Sequence, residues 1–312
     1  MSTYLVTGGA GFIGSHVVRG LLKRGASVRV LDNLSTGKRA NLAEVERDIE
    51  LVEGDIRDQE TVKRCMNGVA GVLHLAARAS VPRSVAHPFE ANDVNVTGTL
   101  TLLLAARDAG VRRFVYSASS SAYGDTPVLP KREDMTPQPL SPYAVSKLAA
   151  EHYCACFTTC YGLETVSLRY FNVFGPRQDP QSQYAAVIPA FVTRMVRGER
   201  PVVYGDGEQS RDFCYVDNVV SANLLGLDAP RVSGEVVNIA CGERVTLNEI
   251  IRLINKALGT NIAADYQAPR VGDVRHSLAD LAAAERVIGY KPLIKFSEGL
   301  ARSIDWYRQH PA

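Results

Sequence analysis

Short apolar runs alternate along the chain with longer stretches in which apolar residues return every three or four positions. Tyr4-Leu5-Val6-Thr7 has the length and side chains of a strand. Phe12–Lys23 carries the helical period and is closed by Gly25, and Ser27-Val28-Arg29-Val30-Leu31 is again strand-like. Further strand runs lie at residues 49–52, 72–75, 114–117 and 165–168. Strands separated by helices imply βαβ units, a parallel sheet and right-handed crossovers, hence a doubly wound α/β fold. Beyond about residue 169 the alternation loosens. Loops rich in Gly, Pro and Gln occupy 175–183 and 204–211. A helix is expected after Val216-Asp217, a strand at Val236-Val237-Asn238, and helices from near Thr246 and Ser297. The expected organisation is a larger domain of residues 1–170 plus about 213–240. A smaller, discontinuous α/β domain takes about 171–212 plus 241–312.

Composition narrows the class. The 312 residues are 46% hydrophobic and 22% charged, which excludes wholesale disorder. Lys+Arg is 35 against Asp+Glu 33, too balanced for a dedicated nucleic-acid binder. The longest apolar runs fall far short of the roughly 18 residues of a membrane span. The opening residues lack the basic segment of a secretory signal, so a cytoplasmic protein is expected. The six cysteines form no CxxC pair. Cys154, Cys156 and Cys160 fall in one expected helix at i, i+2, i+6, a spacing that scatters thiols and argues against a metal.

The turn after the first strand is Gly8-Gly9-Ala10-Gly11-Phe12-Ile13-Gly14. Its glycines at 8, 11 and 14 permit a tight turn and let backbone N–H groups approach a pyrophosphate at the helix start. The second strand ends in Asp32, 18 residues after Gly14. A carboxylate there accepts from ribose hydroxyls and repels a 2′-phosphate, favouring NAD over NADP in a Rossmann-type sheet. The plainer role for Asp32 is to cap the turn before Ser35-Thr36-Gly37. Gly54-Asp55-Ile56-Arg57-Asp58 follows the third strand, where adenine would lie, and His74-Leu75-Ala76-Ala77 follows the fourth. His74 reads as a packing residue rather than a catalyst.

Ser141-Pro142-Tyr143-Ala144-Val145-Ser146-Lys147 has the form of a helix start, with Ser141 as N-cap and Pro142 in the first turn. Tyr143 and Lys147 then share one face at i, i+4. A lysine beside a phenol is expected to lower its pKa and make it a base near neutral pH. Ser117-Ala118-Ser119-Ser120-Ser121 ends the fifth strand, at the edge where open α/β sheets bind ligands.

These features together resemble the extended short-chain dehydrogenase/reductase family. Residues 168–177, Leu168-Arg169-Tyr170-Phe171-Asn172-Val173-Phe174-Gly175-Pro176-Arg177, and 270–277, Arg270-Val271-Gly272-Asp273-Val274-Arg275-His276-Ser277, resemble its nucleotide-sugar enzymes, above all the UDP-hexose 4-epimerases. The resemblance spans nearly the whole chain. It implies Tyr143 as base, Lys147 positioning the nicotinamide ribose, and Ser119 assisting, with Ser120 as the alternative. It implies NAD held by Gly8, Gly11, Phe12, Ile13, Gly14, Asp32, Asn33, Ser35, Gly37, Asp55, Ile56, Leu75, Ala76, Ala77, Tyr143 and Lys147. Asn172, Arg211 and Arg270 would meet the diphosphate, and Asp273 the uridine ribose. Ser80, Ser119, Ser120, Tyr143, Ala186, Val187, Tyr204 and Ser277 complete the implied UDP-sugar contacts, with Tyr184 and Ala185 beside the uracil.

The implied reaction is C4 epimerisation through a transient 4-keto sugar. Dehydratases of the family carry acidic groups after the active hydroxyl residue, where this chain has Ser120-Ser121-Ala122. Ser277 stands where a bulky Tyr restricts the pocket to plain hexoses. Together with Ala79 to Ser84 it favours UDP-GlcNAc/UDP-GalNAc, with UDP-glucose/UDP-galactose as well. UDP-glucuronate is the alternative, with Arg83 as the carboxylate partner; a nucleotide-sugar dehydrogenase or reductase is another. The resemblance also implies a homodimer through the helices around residues 96–109 and 142–160.

Overall fold

The computed structural model describes residues 2–180, 186–269 and 275–310. Its centre is a seven-stranded, fully parallel sheet. The strands are β1 (Thr3–Thr7), β2 (Ser27–Asp32), β3 (Ile49–Glu53), β4 (Val69–His74), β5 (Arg113–Ser119) and β6 (Glu164–Tyr170). The short β7 (Val173–Phe174), β8 (Val202–Tyr204), β9 (Ser210–Arg211) and β10 (Cys214–Tyr215) follow, then β11 (Glu235–Ile239), which rejoins the sheet. β12 (Val245–Thr246) and β13 (Asp265–Gln267) come last. The sheet order is β11-β6-β5-β4-β1-β2-β3. The order reverses between β1 and β4, which opens a ligand crevice at their carboxyl ends.

Period-two alternation sends side chains to opposite faces. Val6, Val30, Val115 and Val166 join one core with α1 (Phe12–Lys23). Leu5, Leu31, Phe114 and Tyr116 join the other. That second face is covered by α2 (Gln59–Cys65), α5 (Gly98–Asp108) and α6 (Pro142–Tyr161). Between α2 and α5 lie two short helices, α3 (Val81–Ala86) and α4 (Pro88–Asn92), and a π turn at Asp93–Thr97. The π turn occupies the first part of the helix expected from residue 96.

A third core gathers α7 (Val187–Val196), α9 (Leu247–Leu258) and α11 (Phe296–Gln309) around Phe174, Phe213 and Phe296. On the first face, α8 (Val216–Asp228) packs beside α1, and α10 (Ala282–Ile288) contributes Ile288. Among the described residues no helix is long and apolar enough to cross a membrane.

The three cysteines of α6 do not share one face. Cys154 is buried, but Cys156 and Cys160 are both exposed with their Sγ atoms 3.8 Å apart. The i, i+4 spacing of this pair puts them on one face, away from Cys154.

Candidate active site

A crevice opens at the carboxyl ends of β1, β2 and β4. All the residues expected to hold the dinucleotide line it, from Gly8 and Gly11 through Asp32 and Ala77 to Tyr143 and Lys147. Its floor depends on absent side chains. A Cβ on Gly14 would lie 2.1 Å from the Gly8 carbonyl oxygen. Gly8 itself has φ +69°, and a Cβ there would lie 2.7 Å from Ala76 N. Gly11 is the N-cap of α1 and offers no side-chain cap, so the first N–H groups of the helix face the crevice unshielded.

Asp32 takes up the plainer expected role as well. Its Oδ2 accepts from Ala10 N at 2.9 Å and Oδ1 from Leu34 N at 2.9 Å. Each oxygen keeps a second lone pair on a cavity wall. Burial raises its pKa, against the two backbone bonds. An uncapped helix start, a bare glycine turn and a buried carboxylate at the end of β2 together fit NAD.

His74 is a wall support. Thr99 donates its hydroxyl proton to Asn95 O (2.6 Å), so it accepts from His74 Nε2 at 2.9 Å. His74 Nδ1 then accepts from Thr7 Oγ1 at 2.7 Å. Burial holds the imidazole well below its ordinary pKa, and Lys147 adds to this. Thr7 Oγ1 also accepts from Ala76 N (3.3 Å), which anchors the loop after β4.

The chemical face is built on α6. Ser141 Oγ accepts from Ala144 N at 3.1 Å, the N-cap expected, and the helix ends at Gly162 with φ 73°. Tyr143 and Lys147 both reach the cavity wall. The expected electrostatics are corrected. Tyr143 has its pKa raised by burial, and the group that pulls it down is Ser119, through a side-chain hydrogen bond. Lys147 Nζ lies over the Tyr116 ring at 4.5 Å. Burial pushes Lys147 itself down to about 7, although Glu151 pulls it back up. In this enclosed pocket desolvation outweighs the helical pairing that the i, i+4 spacing suggested.

A buried ion pair fixes α6 against β6. Arg169 Nε and Nη2 meet Glu151 at 2.9 and 2.7 Å, and its guanidinium covers the Tyr123 ring at 4.7 Å. Tyr123 closes the turn that begins at Ser120, so the pair ties the helix of Tyr143 to the strand end of Ser119.

The other expected contacts form a second cluster. Asn172, at φ 21°, donates from Nδ2 to Asp212 O (2.9 Å) and Ser277 Oγ (3.3 Å). Arg211 donates to the Ser210 and Arg275 carbonyls at 3.1 and 2.8 Å. Ser80 caps α3 by accepting from Arg83 N (3.3 Å). Ser120 opens the turn after β5. Ala186 is the N-cap of α7, Val187 its first residue, and Tyr204 ends β8. Arg270, Asp273, Tyr184 and Ala185 lie outside the described residues.

Residues missed by sequence reasoning complete both clusters. Ser84 Oγ accepts from Tyr143 N at 3.0 Å and so sets the base from below. Asp212 is fully buried and accepts from Cys241 N (2.8 Å), Gly242 N (3.0 Å) and Ala279 N (3.2 Å). Burial nonetheless pushes it up to about 6. Arg78 lines the cavity directly after the small residues Ala76 and Ala77. Its place after His74-Leu75-Ala76-Ala77 was the available signal; Ser84 and Asp212 gave none, because their partners are distant in sequence.

A doubly wound parallel sheet with a glycine crevice, a strand-end carboxylate and a Tyr/Lys helix defines a dinucleotide-dependent enzyme of the short-chain dehydrogenase/reductase type. The model of the NAD-dependent epimerase/dehydratase family matches residues 4–240, and the chain belongs to that family. It is 39% identical over 308 residues to a putative UDP-glucose 4-epimerase of Methanocaldococcus jannaschii, covering 98% of each chain. A structure of UDP-N-acetylglucosamine 4-epimerase from Methanobrevibacter ruminantium, in complex with UDP-N-acetylmuramic acid, is similar at 41% identity and a TM-score of 0.95, over 99% of both chains. The UDP-glucose 4-epimerase of Thermotoga maritima with UDP-glucose matches at 41% identity and a TM-score of 0.94, again over 99% of both.

Proposed function

We propose that the protein interconverts the C4 epimers of UDP-hexoses, taking UDP-GlcNAc/UDP-GalNAc as well as UDP-glucose/UDP-galactose. One observation carries the reading: Tyr143 and Lys147 line the same cavity as the glycine turn and Asp32, and Ser119 draws the phenol's pKa down against burial. A phenol supported in this way can take a proton from a sugar hydroxyl and return it. NAD, when bound, supplies the hydride acceptor and donor for the sugar carbon. The uncapped start of α1 orients its diphosphate, and Asp32 its ribose. Lys147 carries the cation on the Tyr143 side of the cavity. Ser119 stabilises the phenolate that burial opposes. In a reaction with no net redox change, the same site is restored at the end of each turnover.

Ser277 supports the wider substrate range. Its small side chain touches Asn172, the residue we assign to the diphosphate. Arg83 gives little support to the glucuronate alternative, because Glu90 already grips its Nε and Nη2, each at 3.1 Å. We assign NAD to residues 1–170 with 213–240, and the sugar nucleotide mainly to the remainder. A homodimer through α5 and α6 accounts for the exposed Leu104, Val145, Tyr153 and Tyr161.

The test is an NMR time course with UDP-GlcNAc and UDP-glucose in equal amounts and no added NAD. Both C4 epimers should appear. UDP-galactose alone would keep the chemistry and overturn the wide pocket. Turnover of neither sugar would overturn the proposal.

A further inference from the structure

One chain of polar contacts near Arg78 closes on itself. Arg78 Nε lies 2.9 Å from Glu90 Oε1, in α4. Its Nη1 donates to Ser35 Oγ at 3.1 Å. Ser35 Oγ donates to Asn33 Oδ1 (2.6 Å), and Asn33 Nδ2 donates to Asp55 Oδ2 (2.9 Å). Asp55 takes Arg57 at 2.8 Å, and Arg57 Nη1 reaches Asp93 at 2.6 Å. Asp93 stands three residues after Glu90, at the end of α4, so the circuit is complete. It runs from the loop after β4, across the loop after β2, along the loop after β3 and back to α4.

Four members of the circuit line the dinucleotide cavity: Asn33, Ser35, Asp55 and Arg78. Glu90, Arg57 and Asp93 brace them from outside. Arg78 is well placed to bear load. Its backbone N donates to Asn95 Oδ1 at 2.7 Å, and Asn95 Nδ2 donates to Ser146 Oγ at 2.9 Å, on α6 between Tyr143 and Lys147. The cationic side chains among the described lining residues are Arg78 and Lys147. A guanidinium has five donors, and those beyond the Ser35 and Glu90 contacts remain for an anionic ligand.

We propose that this circuit is a hoop that retains the dinucleotide, with Arg78 as its clasp. The proposal rests on the reading of the cavity as an NAD site. A catalyst that regenerates its cofactor at each turnover gains nothing from releasing it, and a hoop slows release without altering the reacting atoms. The individual links are partly solvated and modest. They act in series, so opening any one breaks the circuit.

The experiment exchanges bound NAD for isotopically labelled NAD in the intact protein and follows the exchange by mass spectrometry. The wild type should hold NAD through gel filtration and exchange it slowly. Wild type that neither holds nor binds NAD would overturn the reading of the cavity, and the hoop with it. Arg78→Ala should exchange about tenfold faster or more, by loss of a charge-assisted contact, and Arg78→Lys should recover part of the retention. Asp93→Ala opens the hoop at a residue that does not line the cavity, and should speed exchange about threefold. Unchanged exchange in Arg78→Ala overturns the proposal. Fast exchange in Arg78→Ala with wild-type exchange in Asp93→Ala also overturns the hoop, leaving a direct contact in its place. Circular dichroism on each variant, with Arg78→Lys as the conservative substitution, separates release from unfolding.

Discussion

The two ends of the site are built by different means. At the dinucleotide end, contiguous motifs follow successive strands of one sheet, and the geometry depends on what glycines leave out. At the proposed sugar end, residues 172, 212 and 277 come from separate segments and meet at the Asp212 backbone, whose carbonyl accepts from Asn172 Nδ2 and whose N–H donates to Ser277 Oγ, while its buried carboxyl group holds the N–H groups of residues 241, 242 and 279. The first design tolerates almost no added volume. The second depends on one buried carboxyl group and the backbone around it.

The largest effect is expected at the first end. Gly14→Ala puts a Cβ 2.1 Å from a backbone oxygen, which no side chain can yield to. The variant should lose NAD binding and much of its stability, read by bound cofactor and thermal melting. Tyr143→Phe should come next, with turnover down about 10²- to 10⁴-fold while NAD remains bound. Retained turnover would remove the phenol from the chemistry.

Asp212→Asn tests the second end. An amide presents one acceptor oxygen to three backbone N–H groups, and a loss of about 2–4 kcal/mol is expected. The pH dependence has a definite sign. Asp212 titrates near 6 in the folded chain, above the ordinary carboxylate value of 3.8. Its contribution to stability is therefore full below about pH 4 and lost as pH rises through 6, by about 3 kcal/mol at most. Urea melts at pH 4.5 and 7 should show that slope in the wild type and lack it in Asp212→Asn. The smallest and most selective effect is expected for Ser277→Tyr, which should lower kcat/KM for N-acetylated substrates by about tenfold or more and spare UDP-glucose. Equal loss of both would show that residue 277 holds Asn172 in place rather than gating the pocket.

The same contrast explains what was legible in the sequence. The glycine turn, Asp32 and the Tyr143/Lys147 pair are local patterns within a strand–helix rhythm, and the structure places them on one cavity. Lys147 shows the limit of spacing. The i, i+4 relation placed it on the right face, but its ammonium rests on Tyr116, a partner from β5 that no helical period reveals. Asp212 lies beyond local reasoning for the same cause: its donors come from residues 241, 242 and 279. The Arg78 circuit likewise joins three loops that meet only once the sheet order is known.

The return of β11 to the edge of the sheet has a consequence for how the chain is made. The first six strands are synthesised well before α8 and β11, which cover Val115 and Val166 and complete that edge. On the ribosome, the first six strands therefore wait with an apolar face and an open strand edge while residues 171–212 are threaded out. The sheet is completed only once residues near 240 emerge, so the two halves mature together, and a chain stopped at residue 170 should be prone to aggregate.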